Sequence, residues 1–333
     1  MNLSNWKGKS VLVTGAAGFI GSHLTERLVD LGAHVTAFVR YNSRNDWGLL
    51  QHLPKQKLDA IEIIAGDLRD IGAVRHAAGR TEVIFHLGSL IAIPYSYIHP
   101  RDTIETNVMG TLNVMSVAKD VGTARIVHTS TSEVYGTARY VPIDENHPLQ
   151  GQSPYSASKI GADMIAVSFH RSFDLPVTVL RPFNTFGPGQ SARAVIPTII
   201  TQALAPVPKI ILGSLHPTRD YTYIDDVVTA FLKAAESPDS TGDIINVGSN
   251  FEISIGDIAK KVLSIVGARK PIVQDEKRIR PVKSEVERLW CNNTKAKRLL
   301  GWEPRVGFEE GLQKTIEWIS ANMAFYKAYL YNI

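Results

Sequence analysis

Short apolar runs of four to six residues recur along this 333-residue chain, separated by longer stretches with apolar residues every three or four positions. Ser10–Thr14 (SVLVT), His34–Val39, Ile61–Ala65, Val83–His86, Arg125–Thr129 and Val177–Leu180 are the runs, most of them rich in β-branched side chains. Runs of this length, without strict polar alternation, read as parallel strands buried on both faces. The intervening stretches read as helices, notably from Gly21 to about Leu31, about Asp102–Val121, and Tyr155 to about Arg171. Strand alternating with helix predicts an α/β fold, a doubly wound parallel sheet of Rossmann-like form.

After Val177–Leu180 the run Arg181-Pro182-Phe183-Asn184-Thr185-Phe186-Gly187-Pro188-Gly189 ends regular structure. Beyond it the elements are short: a helix near Ala194–Leu204, a strand Lys209–Leu212, a helix ending at Glu236, and a strand Ile244–Val247. Ser254–Val266 reads as a helix with Ser254 as N-cap, and Phe308–Met323 as the last. The pattern therefore predicts a dinucleotide-binding domain, 1–184, to which the 244–247 strand returns. A smaller C-terminal substrate-binding domain, 185–333, follows. The aromatic tail (Phe325, Tyr326, Tyr329, Tyr331) reads as packing or a subunit contact.

The first strand enters Gly15-Ala16-Ala17-Gly18-Phe19-Ile20-Gly21. Glycines at this spacing turn the chain tightly and let the backbone approach a pyrophosphate, which the following helix N-terminus favours. Gly15, Ala17, Gly18, Phe19, Ile20 and Gly21 are thus candidates for cofactor binding. The end of the second strand selects the cofactor. An acidic residue there would hold a ribose 2′-hydroxyl, but the position is Arg40, which accommodates a 2′-phosphate or stacks on adenine. The cofactor is expected to be NAD or NADP, with Arg40 favouring NADP. Asp67, followed by Leu68, is placed to accept from the adenine amine, and Leu87, Gly88 and Ser89 leave room for the nicotinamide ribose. Asn107, Thr129 and Pro182 complete the cofactor set. Asn107 needs partners if buried, and can fix the neighbouring helix through backbone or water.

The densest chemistry lies between Thr129 and Lys159. Thr131, Ser132 and Glu133 follow the end of a strand, where open α/β sheets bind ligands. Tyr155 and Lys159, four residues apart, share one helix face. A lysine beside a tyrosine favours the phenolate, so the Tyr155 pKa is expected to fall from about 10. The segment Leu90–Pro100 (LIAIPYSYIHP) is apolar and proline-broken. It reads as a substrate-pocket wall carrying Ile93, Pro94 and Tyr95, or as packing beneath the next helix.

Composition adds bounds. Hydrophobic residues make up 44% and charged residues 20%, as in ordinary globular enzymes. The formal net charge of +4 lacks the clustering of a nucleic-acid binder and suits an anionic small substrate. The single cysteine, Cys291, excludes an intrachain disulfide and fits a reducing cytoplasm. Met1–Lys9 has no signal-peptide core, and no apolar run is long enough to span a bilayer. No metal site is expected.

GxxGxxG, YxxxK, RPFN and RDYTYIDD, in this order, resemble the extended short-chain dehydrogenase/reductase superfamily. Thr131-Ser132-Glu133 resembles the nucleotide-sugar 4,6-dehydratases. Leu90–Tyr97, Tyr135–Gln150, Ser191–Pro197 (SARAVIP) and Arg280–Trp290 look like the N-acetylglucosamine nucleotide dehydratases of bacterial surface-sugar (legionaminic-acid type) pathways. The resemblance implies a UDP- or GDP-linked N-acetylhexosamine, a 4-keto-6-deoxy product, a recycled nicotinamide cofactor and a homodimer. It implies that Tyr155 takes the O4 proton, Lys159 supports it, Thr131 bonds O4 and Glu133 takes the C5 proton. Ser132 stands where dTDP-glucose dehydratases carry aspartate, and can only position a water or the hydroxyl. Asn184, Arg219 and Arg280 are the candidates for the nucleotide diphosphate, and Arg193 with Val195 for the sugar or a neighbouring subunit.

Three other readings compete. A 4-epimerase needs no C5 base, which Glu133 supplies. A UDP-glucuronate decarboxylase can carry the same Thr-Ser-Glu run but needs a cation that Leu90–Tyr97 does not offer. A non-catalytic dinucleotide sensor would be free to lose the Tyr/Lys pair, which is present.

Overall fold

The computed structural model describes residues 5–328 and 330, so Tyr329 and Tyr331 of the aromatic tail lie outside the described residues. The strands are β1 (Ser10–Thr14), β2 (His34–Arg40), β3 (Ile61–Gly66), β4 (Val83–His86), β5 (Arg125–Thr129), β6 (Val177–Pro182), β7 (Asn184–Phe186), β8 (Ile210–Leu212), β9 (Thr218–Tyr223), β10 (Ile244–Val247), β11 (Glu252–Ser254), β12 (Ile272–Gln274) and β13 (Arg288–Leu289). The helices are α1 (Phe19–Asp30), α2 (Lys55–Leu58), α3 (Ile71–Ala78), α4 (Ile93–Ile98), α5 (Pro100–Ile104), α6 (Gly110–Val121), α7 (Pro154–Phe173), α8 (Val195–Leu204), α9 (Ile224–Glu236), α10 (Ile255–Val266), α11 (Thr294–Leu300) and α12 (Phe308–Ala321).

Seven parallel strands form the main sheet in the order β10–β6–β5–β4–β1–β2–β3. The order reverses between β1 and β4, so the crevice of a Rossmann-like fold opens at their carboxyl ends. The period of two along each strand divides the core. Val11, Val13, Phe85 and Val127 face one hydrophobic cluster, shared with α1, α8 and α9. Leu12, Ile84 and Ile126 face the other, shared with α3, α6 and α7. Each such side chain contributes about 1.5–3 kcal/mol on burial, which is what makes these runs strands buried on both faces.

Two glycines build the crevice. Gly15 has φ +72°, and a Cβ there would meet Gly88 N at 2.7 Å. A Cβ on Gly21 would lie 2.2 Å from Gly15 O, so only glycine lets α1 start against the turn. Beyond β6 the chain builds a second sheet, β11–β9–β13 with β7 beside β9, and a separate β8–β12 pair. β10 pairs in parallel with β6 and extends the main sheet.

Two elements differ from the sequence pattern. Leu90–Pro100 is not a broken loop: Pro94 opens α4, because proline at a first helical turn forfeits no needed N–H. The Asp102–Val121 helix begins at Pro100 and is interrupted by a π-turn, Glu105–Met109, between α5 and α6. In the tail, Tyr326 donates to Gln190 O at 2.9 Å and Phe325 packs on His52.

Candidate active site

β5 ends at Thr129, and Ser132–Tyr135 forms a 3-10 turn capped by Thr131, whose hydroxyl accepts from Glu133 N at 3.2 Å. The loop returns at Ser153, which forms a capping box with Ser156 and starts α7. That start brings Tyr155 and Lys159, both buried, under the turn. Lys159 Nζ donates to Thr129 O at 2.6 Å. Ser132 is buried beside them. Glu133 follows Ser132 in the same turn, and its charge raises the proton affinity of two buried phenols, Tyr155 and Tyr221, in both cases less than burial does. Among the described residues no hydrogen bond or ion pair engages that carboxylate.

The phenol does not titrate as the sequence suggested. Burial pushes the Tyr155 pKa up, and the charges of Glu133 and Asp163 push it further, against the hydroxyl of Thr131. Burial also lowers Lys159 to about 8, with Asp163 opposing. The physical reason is geometric: the ammonium is spent on the Thr129 carbonyl, and desolvation of the phenolate prevails.

Asn107 lies in the π-turn and bonds directly, with no water needed. Its Nδ2 donates to Leu90 O and to Ser158 Oγ, both at 2.9 Å, and its Oδ1 accepts from Leu90 N at 2.7 Å. It thereby ties the end of β4 to α7. An extra residue in the helix turns this side chain toward both, a common device at functional sites.

The crevice fits a dinucleotide. Gly18 caps α1 without any side-chain acceptor, leaving the N–H groups of the first turn, Phe19 and Ile20 included, open to an anion. Ala17 O accepts from Leu49 N. Gly88 N donates to Thr14 Oγ1 at 3.1 Å, and Ser89 Oγ to Leu87 O at 3.4 Å. The Leu68 side chain fills the space that Gly88 and Gly110 leave. Arg40 ends β2, exposed and opposite Gly66; the Asp67 carboxyl is held below its usual range chiefly by the Arg69 hydrogen bond, with the Arg40 charge adding a little. The Asp67 carboxylate is held by Arg69, Nε at 3.0 Å and Nη2 at 2.6 Å, which fixes its orientation and leaves it lone pairs for a further donor. Thr129 Oγ1 is buried without a partner, and Pro182 closes β6 against Val247.

On the other side of the cleft, Arg219 and Tyr221 alternate along β9 and so share a face. Arg219 Nη2 lies 3.4 Å and Arg280 Nη1 3.7 Å from Glu285 Oε1. Both guanidinium groups pull the Tyr221 phenol down, against burial, which leaves it at about 12. Asn184 Nδ2 is buried without a hydrogen-bond partner, and Arg280 Nη1 is buried with only its longer ion pair to Glu285. Ile93 is buried at the start of α4. Pro94 occupies the first turn of that helix. Tyr95 donates to Asp102 at 2.8 Å, which orients it by the Arg69 network. Arg193 is exposed in the turn before α8, and Val195 is the first residue of that helix. Tyr221, Glu285 and Asp163 escaped the sequence reading; only the strand alternation from Arg219 could have singled out Tyr221. Among the described residues no cluster of His, Cys, Asp or Glu could hold a metal, and no helix is long and apolar enough to cross a membrane.

Residues 12–315 match the protein-family model described as GDP-mannose 4,6 dehydratase. The chain belongs to that family. Relatives of the GDP-mannose 4,6 dehydratase family member described here span several activities. A UDP-glucose 4-epimerase of Mycolicibacterium smegmatis is 34% identical over 313 residues, 92% of this chain and 97% of the relative. An epimerase from Methanothermobacter thermautotrophicus superposes with TM-score 0.88 at 30% identity, covering 97% of this chain and 96% of the other. A dTDP-glucose 4,6-dehydratase of Streptomyces venezuelae, solved with NAD bound, gives TM-score 0.82 at 29% identity over 95% and 98% of the two chains. The family is thus one of NAD-dependent nucleotide-sugar dehydratases and epimerases.

Proposed function

We propose that the chain is a 4,6-dehydratase of UDP- or GDP-N-acetylglucosamine, forming the 4-keto-6-deoxy sugar for bacterial surface polysaccharides. The observation that carries this reading is Glu133, a carboxylate without a hydrogen bond or ion pair among the described residues, on the turn that Thr131 caps at the end of β5. Losing water across C5–C6 requires an acidic C5–H, which a C4 ketone provides. A bound nicotinamide dinucleotide would hold the hydride taken from C4 and give it back at C6 after water is lost, with a proton returning to C5, so that no net oxidant is consumed. Tyr155, deprotonated, takes the O4 proton, and Thr131 donates a hydrogen bond to O4 and steadies its charge. Lys159, fixed on Thr129 O, presents a cation beside them. Glu133 takes the C5 proton and returns a proton to the departing C6 hydroxyl, directly or through a water that Ser132 positions.

Residues 185–333 contribute most of the substrate contacts. Asn184, Arg219 and Arg280 bind the diphosphate, the two arginines by forked donors. Ile93, Pro94 and Tyr95 form the wall, and Arg193 with Val195 border the sugar. Arg40 admits NADP as well as NAD. The enzyme works in the cytoplasm as a homodimer, a reading supported by the exposed Ile104, Met109, Met164 and Phe173 on the 100–121 helix and α7. Sedimentation at a monomer's mass would refute the dimer.

The epimerase reading is favoured by the epimerases among the similar proteins. Incubation with UDP- and GDP-N-acetylglucosamine and UDP-glucose, without added reductant, separates the two. A 4-keto-6-deoxy product from an N-acetylglucosamine nucleotide supports dehydration. Only a C4 epimer, or no product, rejects it.

A further inference from the structure

Asp163 sits on α7, one turn beyond Lys159 and two beyond Tyr155, and is fully buried. Its Oδ2 accepts from Ser130 Oγ at 2.7 Å, Arg181 Nε at 3.1 Å and Arg181 Nη2 at 3.0 Å. Its Oδ1 stands 3.3 Å from His128 Nε2. A carboxylate this deep persists as an ion only because it has these donors. Residues four apart on a helix are neighbours, so Asp163 and Lys159 share one face of α7.

The charges around it are few. From β5, His128 is kept neutral by burial. From β4, so is His86, whose ring lies 5.3 Å from that of His128. From β6, Arg181 is charged and also donates to Tyr135 Oη at 3.0 Å. Glu133 stands on the turn after β5, which also carries Tyr135. Thus Lys159, Arg181, Asp163 and Glu133 carry the charge of the site floor.

We propose that Asp163 is a positioning residue for the oxidation step, a buried counter-charge that sets the pH window in which the Tyr155–Lys159 pair works. This rests on the reading of Tyr155 and Lys159 as the proton-accepting pair. The negative charge of Asp163 raises the proton affinity of both Lys159 and Tyr155. Removing it lowers both, so the acid limb and the alkaline limb of the profile move the same way.

The test is the pH dependence of kcat/KM in Asp163→Asn holoenzyme, using the sugar nucleotide that the wild type turns over. Both limbs are expected to shift acidward by about one pH unit. Asp163→Glu keeps the charge and should keep the limbs in place even if kcat falls. Because Asn at this position strands the Arg181 cation, the pair variant Asp163→Asn/Arg181→Met is made beside it; it should shift the limbs in the same direction by less. In parallel, the phenolate absorbance that Tyr155→Phe removes is titrated in the NAD complex, and should also move acidward in Asp163→Asn. Limbs and phenolate unmoved in folded variants, with only melting temperature lowered, would reduce Asp163 to a structural partner of Arg181. Absent turnover in the wild type would instead defeat the dehydratase reading, leaving the phenolate titration to decide the role of Asp163.

Discussion

Lys159 donates from Nζ to the backbone carbonyl of Thr129 at 2.6 Å, so the cation accompanying Tyr155 is anchored to the end of β5 and not to the phenol. The burial of both groups sets opposite demands. The phenol is driven up and the ammonium down, and the pair must be charged together to accept a proton.

Lys159 therefore costs stability at neutral pH. Burial holds its folded pKa at about 8, below the ordinary lysine value of 10.5, so the unfolded chain binds more protons between those values. Stability attributable to this group is lowest below pH 8 and recovers as pH rises toward 10.5. Lys159→Met is expected to raise stability at pH 7 by up to about 3 kcal/mol while abolishing turnover. Denaturation curves against pH check this: the advantage should narrow above pH 8, and a wild type more stable at pH 7 would contradict it.

Tyr155→Phe should keep cofactor affinity and lose about 10²–10⁴-fold in kcat, the usual worth of a positioned proton acceptor. Cofactor titration and product assay on one preparation decide it. Undiminished product formation would remove the phenol from the mechanism.

Asn107→Ala removes the bonds to Leu90 N–H and Leu90 C=O and one of the two that Ser158 Oγ makes. A loss of about 2–4 kcal/mol is expected, with kcat falling as α7 shifts. Urea denaturation gives the first and steady-state kinetics the second. A loss below about 0.5 kcal/mol would mean the π-turn does not hold the site.

Arg40→Ala should weaken NADP about fivefold and leave NAD within about twofold, since one exposed charge–phosphate contact is worth roughly 1 kcal/mol. Equal weakening of both would assign Arg40 to adenine stacking.

Much of the fold was legible because buried parallel strands leave continuous apolar runs, and the glycine turn and its neighbours are local in sequence. Thr131, Ser132, Glu133, Tyr155 and Lys159 could be chosen because strand end and helix face are set by spacing. What escaped depends on distant partners. The Arg181–Asp163 pair joins β6 to α7, and Glu285 meets Arg219 across 66 positions. The π-turn at Asn107 carries no Gly or Pro signal of its own, and Pro94 looked like a breaker where it begins a helix. The direction of the Tyr155 shift was misread because a lysine four residues away says nothing of what its ammonium touches.

Solvent deuterium entry at C5 tests the role of Glu133 most directly. In Glu133→Gln with a turned-over N-acetylglucosamine nucleotide, bound nicotinamide should still be reduced, while deuterium at C5 and 4-keto-6-deoxy product both fall at least about 100-fold. Deuterium entering C5 at the wild-type rate in that variant would contradict it.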